Sequence, residues 1–184
     1  PGRSLGGIHF AMDFLRQQNK RNAGDAIALE EAISAHGKHV IVIGGGDTGS
    51  DCIGTAVRQG AASVRQLEIM PKAPEYIDPH ETWPHWPTIY RQSTSQEEGD
   101  ETRYQVLTTG FRGENGRVTH LSATEVNWII TPEGKQVFHP VEGGEFELKA
   151  DLVLLAMGFV HPVHDGLLAA LNAQADAYVD GDGC

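Results

Sequence analysis

The run Gly44-Gly45-Gly46-Asp47-Thr48-Gly49 carries the strongest chemical signal in the sequence. A G-x-G-x-x-G turn suits a pyrophosphate when it joins a strand to a helix. Gly44 then permits the tight turn, Gly46 lets phosphate oxygens approach bare backbone, and Gly49 lets the helix lie close to the strand. The N–H groups that open a helix have no partner within it, and together with the helix dipole they attract an anion. Backbone from Gly44, Gly45, Gly46, Asp47, Thr48 and Gly49 is therefore expected to cradle the phosphates of a dinucleotide.

Glu68 sharpens that expectation. It lies nineteen residues beyond Gly49, close to the spacing of about 20 at which an acidic side chain accepts hydrogen bonds from the adenosine ribose. A carboxylate there would repel the 2′-phosphate of NADPH, and Arg65 stands three residues too early to bind it, so the expected cofactor is NADH, with NADPH the alternative. The plainer reading of Glu68 is a solvent-facing acid at a strand end. A third signal is the apolar run 152–155 closing on Ala156-Met157-Gly158, a strand that would leave bare backbone at the edge of a sheet.

The elements that must position these residues can be read from periodicity. Residues 8–20 have helical apolar spacing, and a second short helix is expected over 25–35, stopped by Gly37. The unbroken β-branched run 39–43 suits a fully buried parallel strand. A small-residue helix over 47–59 follows, with Gly60 at its C-cap. The next strand is expected over 64–70, completing a βαβ unit. Residues 71–102 hold five of the nine prolines and Trp83 and Trp86, and read as a long ordered loop. Strands over 104–111, 118–130 and 136–148, with Gly-containing turns between them, predict an antiparallel meander. A buried strand over 151–156 returns to the parallel sheet. The fold class is α/β: a Rossmann-like dinucleotide-binding domain with a parallel sheet and an inserted antiparallel β-meander.

The totals exclude several function classes. The chain has 184 residues, enough for one domain, and a net charge of −11, which would repel a phosphate backbone or an anionic bilayer. No apolar run is long enough to span a membrane. Two cysteines, Cys52 and Cys184, give neither a disulfide framework nor a cluster site, and suit a reducing compartment such as the cytoplasm. Pro1 at the start, with no targeting pattern after it, is what an interior segment of a longer polypeptide would show.

Other residues have plainer explanations. His80 and His85, near Glu75, Asp78 and Glu81, and the pair His161 and His164 could suggest a metal, but they lie in irregular stretches ill-suited to fixed ligand geometry. Trp83 and Trp86 are better read as anchors of the long loop. Cys52 falls on the apolar face of its helix and reads as an inert buried thiol. Ser50 and Asp51 have no nucleophile-elbow spacing. No catalytic side chain and no metal ligand is expected.

Three segments, GKHVIVIGGGDTGSDCIGTAVRQGAASVRQLEIMP, WPHWP (Trp83 to Pro87) and ADLVLLAMGF, resemble the small (beta) subunit of glutamate synthase. The acidic residue before Met70-Pro71 is closest to the plant-type NADH-dependent form. PGRSLGGIHFAMDFL and Glu97-Glu98-Gly99 also fit, so the resemblance runs from Pro1 to about Leu171. It implies the nicotinamide-binding domain of a glutathione-reductase-like flavoprotein, inserted within a split flavin domain. Residues 1–35 would be entering crossover helices, 36–157 the NAD(P)H-binding domain, and 158–184 the start of the return crossover. Ile69 and Met70 would flank the adenosine, and Ala156, Met157 and Gly158 would lie near the nicotinamide. FAD would be held by the flavin domain of the parent and not by this chain. Hydride would pass from NADH to that FAD, and electrons through iron–sulfur clusters to a large subunit or domain that makes glutamate from glutamine and 2-oxoglutarate. His161, where the family more often has glycine, and residues 172–184 depart from the pattern. Two rivals stay open: the NADPH-binding domain of another FAD and iron–sulfur oxidoreductase, and a non-catalytic dinucleotide-sensing module.

Overall fold

The computed structural model describes residues 1–28, 30–78, 89–158 and 165–170. Its centre is a parallel sheet whose strands are β1 (Ile8–Phe10), β2 (His39–Ile43), β3 (Ser63–Leu67), β4 (Glu101–Arg103) and β8 (Leu152–Leu155), ordered β1-β8-β2-β3-β4. Helices α1 (Ala11–Asn22) and α2 (Asp47–Arg58) cover one face. On the other face lies an antiparallel sheet of β5 (Val106–Glu114), β6 (Arg117–Ile130) and β7 (Gln136–Lys149). Two short helices, α3 (Thr94–Glu97) and α4 (Leu167–Ala170), complete the elements among the described residues.

The unbroken apolar character of β2 and β8 follows from this layering. Successive side chains of a strand point to opposite faces. Val40, Val42, Leu152 and Leu154 pack with Phe14, Cys52, Ile53 and Ala56 beneath the helices. Ile41, Ile43, Val153 and Leu155 pack with Leu67, Val118, Leu121 and Leu148 beneath the meander. Each such side chain contributes about 1.5–3 kcal/mol by leaving water, so both faces need apolar residues and no polar alternation survives.

Besides strand ends that shift by a few residues, three larger departures from the sequence reading stand out. First, residues 8–10 are a strand, with Ile8 paired to Val153 and Phe10 to Leu155, and the helix starts only at Ala11. Second, the helix expected over 25–35 is absent among its described residues. Side chains of the flanking helix and its neighbour take up that backbone instead. Gln17 Nε2 donates to the Glu31 carbonyl at 2.9 Å and its Oε1 accepts from Ile33 N at 2.9 Å. Gln59 Oε1 accepts from Ala35 N at 2.8 Å. These partners replace the i→i−4 bonds a helix would make. Third, the loop over 71–102 contains α3 and part of β4. Strand β4 is a short polar edge strand, paired to β3 through Arg65 and Glu101, Gln66 and Thr102, and Leu67 and Arg103. It has no apolar alternation to announce it.

Candidate dinucleotide site

The glycine turn sits where β2 feeds α2, at the carboxyl edge of the parallel sheet. Gly44 has φ +116°, and a Cβ on it would stand 2.2 Å from the Ala156 carbonyl oxygen. Its N–H donates to the Leu67 carbonyl at 2.8 Å, and Ala156 N donates to the Ile43 carbonyl at 2.8 Å. The first glycine is thus wedged between β3 and β8, a position that only a residue without a side chain can take. Gly49 is also confined: a Cβ there would meet the Gly44 carbonyl oxygen at 2.5 Å, so the start of α2 lies directly on the turn.

Gly46 is different. Nothing stands within 4 Å of its would-be Cβ, and it is the N-cap of α2, with no side chain capping the helix. The backbone N–H groups that open α2 thus receive no side-chain cap from the N-cap position. Asp47 is exposed in the first turn, and the Ser50 hydroxyl donates back to the Gly46 carbonyl at 3.4 Å. Gly44 and Gly49 are thus confined by backbone atoms, whereas Gly46 has open space beside it.

Glu68 lies just past the end of β3, which stops at Leu67 and does not reach Met70. The backbone of Glu68 is engaged by the next crossing: its N–H donates to the Arg103 carbonyl at 2.8 Å and its carbonyl accepts from Val106 N at 3.0 Å. The side chain turns back, Oε1 accepting from Met70 N at 2.9 Å. Oε2 reaches over Gly45, where it would lie 2.3 Å from a Cβ. The carboxylate thus stands beside the glycine turn. Three basic residues of the adjoining segments form ion pairs. Arg65 Nε lies 3.5 Å from Glu101 Oε2, Arg103 Nε lies 2.8 Å from Glu101 Oε1, and Lys72 Nζ lies 3.3 Å from Glu75 Oε1.

Ile69 and Met70 form the bend after Glu68. The Ile69 carbonyl accepts from Trp128 Nε1 at 2.8 Å, which ties the bend to the meander. The Met70 side chain is exposed. At the other end of the site Met157 is two-thirds exposed and Gly158 has φ +83° with open space around it. The structure sets Gly44 against both Ala156 and Gly49, and the Glu68 carboxylate against Gly45. Gly46, Asp47 and Thr48 stand at the helix start, and Ile69, Met70, Met157 and Gly158 at the margins.

Two residues of this region were not singled out from the sequence. Gln66 is fully buried, and its Nε2 donates to the Gly44 carbonyl at 2.8 Å. The available signal was a polar residue two positions after Val64, on the face of β3 that should be apolar. Tyr104 lines a cleft of about 360 Å³ with Lys72, Tyr90, Gln96 and Thr102. Burial, a hydrogen bond with Tyr90 and the nearby charges of Tyr90 and Glu68 push its phenol up to about 12. Its signal was weak, since one tyrosine after a polar strand looks ordinary.

Cys52 is buried in the helix-side core, and burial, aided by Asp51, pushes its thiol up to about 12. Among the described residues no group of three or more His, Cys, Asp or Glu could hold a metal ion. His80, His85, Trp83, Trp86, His161 and His164 lie outside the described residues. No described helix is long and apolar enough to cross a membrane.

Solved structures with a similar fold include Mycobacterium tuberculosis FprA in complex with NADPH. It has a TM-score of 0.58 and 16% identity, covering 91% of this chain and 48% of that one. Another is an FAD-dependent pyridine nucleotide-disulphide oxidoreductase from Desulfovibrio vulgaris, with a TM-score of 0.51 and 18% identity over 89% of this chain and 33% of that one. At such identities the likeness is one of fold. It is the Rossmann-like α/β class, a parallel sheet with an added antiparallel sheet, that the sequence leads one to expect. No family model matches. The glutamate synthase [NADPH] small chain of Mycobacterium tuberculosis is 49% identical over 177 residues, which is 95% of this chain and 35% of that protein. The glutamate synthase [NADH] of Schizosaccharomyces pombe is 39% identical over 96% of this chain and 9% of that protein. The chain is thus similar over nearly its whole length to part of the glutamate synthase small chains, and spans about a third of the length of the bacterial relatives it matches.

Proposed function

We propose that the chain is the nicotinamide-dinucleotide-binding domain of a glutamate-synthase-type flavoprotein and that it prefers NADH. The observation that carries this reading is the pairing of an open backbone cradle at Gly46 with a carboxylate at Glu68 that leans over the same turn. The N–H groups opening α2 would hold the pyrophosphate, with Gly44 and Gly49 keeping backbone close to it. Glu68 would accept hydrogen bonds from the ribose hydroxyls, and Ile69 and Met70 would border the adenosine. Ala156, Met157 and Gly158 would leave the edge of β8 open beneath the nicotinamide. When bound, NAD(P)H supplies a hydride, and FAD in the rest of the parent enzyme would receive it.

NADH is favoured over NADPH because a 2′-phosphate beside Glu68 would meet a carboxylate. The names of the relatives divide between the two cofactors, so the preference rests on this geometry. The chain's own task is to bind and aim the dinucleotide; none of its side chains need act as acid or base. Turnover would require the flavin domain, the iron–sulfur clusters and the large subunit or domain that forms glutamate. The same reading divides the chain into an entering segment, 1–35, the nucleotide-binding domain, 36–157, and a return segment, 158–184, in a cytoplasmic enzyme. Strand β1 lies in the entering segment yet pairs with β8, so that segment contributes to the sheet. Calorimetric titration with NADH and NADPH tests the reading.

A further inference from the structure

Gln66 stands on β3, a strand whose other inward residues are apolar, and none of its surface is exposed. A buried amide on a central strand is costly unless each of its polar atoms is satisfied. Here both are. Nε2 donates to the Gly44 carbonyl at 2.8 Å. Oε1 accepts from Gln96 Nε2 at 3.2 Å and from Thr102 Oγ1 at 3.2 Å. Gln96 is fixed in turn by a capping box, its Oε1 accepting from Ser93 N at 3.1 Å and its N–H donating to Ser93 Oγ at 3.2 Å. A chain of hydrogen bonds thus runs from the first glycine of the turn, through the sheet, to α3 and β4.

The same amide also limits where α2 can begin. A Cβ on Gly49 would stand 3.0 Å from Gln66 Nε2 and 2.5 Å from the Gly44 carbonyl oxygen. The Gly44 carbonyl is therefore held between the Gln66 amide below and the first turn of α2 above. Its peptide plane in turn sets the direction in which the following N–H groups point.

We infer that Gln66 is a positioning residue for dinucleotide binding: through the Gly44 carbonyl it locks the glycine turn in its phosphate-holding shape, and it couples that turn to α3 and β4. The inference rests on the dinucleotide reading above. It assigns Gln66 no contact with the cofactor. Its effect is on the order of the turn, so removing the amide weakens binding without removing any group that touches the ligand.

The test is Gln66→Met, which keeps the length and volume of the side chain and loses both polar ends. NADH affinity is measured by calorimetry, and amide hydrogen exchange is followed by mass spectrometry on the same samples. The folded variant is expected to bind NADH roughly tenfold more weakly, the size of one lost hydrogen bond. Exchange should quicken over residues 44–49 and stay unchanged over the cores of β2 and β3. Thr102→Val, at a partly exposed position, removes one partner of Oε1 and serves if Gln66→Met does not fold; it should weaken NADH binding severalfold. A folded Gln66→Met with unchanged affinity would overturn the inference. So would exchange that quickens equally across β2, β3 and the turn, since that is the signature of a core residue alone. If Gln66→Met does not fold, Thr102→Val with unchanged affinity would overturn it as well. Failure of the unmodified chain to bind either NADH or NADPH would instead overturn the dinucleotide reading, and this inference with it.

Discussion

The carboxylate of Glu68 lies over the backbone of Gly45, with Oε2 2.3 Å and Cδ 3.1 Å from the point where a Cβ would stand. The second glycine of the turn, which the motif itself leaves open, is therefore specified by the acid at the end of the next strand. The atoms in conflict are the far end of a flexible side chain, so Gly45→Ala should fold with a stability loss of less than about 1 kcal/mol. Its effect should be on the ligand, because the carboxylate must swing away from the ribose position. NADH affinity should fall, and the same substitution made in a Glu68→Ala background should have little further effect. Equal losses in both backgrounds would show that Gly45 and Glu68 act independently.

Gly44 presents the opposite case. Its φ of +116° is unfavourable for any residue with a Cβ, and the obstructing atoms, the carbonyl O and C of Ala156 at 2.2 and 2.7 Å, are backbone. Gly44→Ala should cost at least about 3 kcal/mol from strain and collision together. A urea midpoint equal to that of the unmodified chain would contradict the wedged position of this glycine.

Much of the fold was legible because its central strands are apolar without interruption. The run at 39–43 and its counterpart at 152–155 are apolar on both faces, and both proved to be central parallel strands between two apolar layers. The confinement of Gly44 and Gly49 could be read because each answers to one local constraint. Strand β4 could not, since its three partly exposed residues gain their pairing from β3 and not from burial. The stretch after Asp25 misled for a related reason. Its helical composition lost to long-range hydrogen bonds from Gln17 and Gln59, partners that no local window contains. Gln66 was hidden because its role depends on the carbonyl of a residue twenty-two positions away.

His9, partly buried on β1, gives the chain a pH signature. Burial holds its imidazole below the ordinary value of 6.5, Lys38, Arg3 and Arg117 push the same way, and Asp13 opposes. As pH falls through that value the unfolded chain takes up a proton that the native chain resists. The contribution to stability is thus lost on acidification, over the window from about 6.5 down to the lowered native value, and regained as pH rises. His9→Asn should flatten this part of the profile, as measured by urea midpoints at about pH 7.5 and about pH 5.5. An unchanged slope would assign the effect to other groups.

Cys52 should be chemically silent in the native chain. Its thiol, pushed up to about 12 by burial, holds almost no thiolate near neutral pH. Iodoacetamide at about pH 8 should leave Cys52 unlabelled until denaturant is added, as read by peptide mass spectrometry. Labelling at the rate of a free thiol would contradict its place in the core beneath α2.

The central claim is that Glu68 reads the ribose of NADH beside a phosphate cradle. Calorimetric titration of the chain and of Glu68→Ala with NADH and with NADPH tests it most directly. The account predicts tighter binding of NADH by the unmodified chain. In the variant, NADH affinity should fall by roughly tenfold to a hundredfold, the worth of hydrogen bonds to a charged acceptor, so that the two cofactors become nearly equal. Equal or tighter binding of NADPH by the unmodified chain would contradict it.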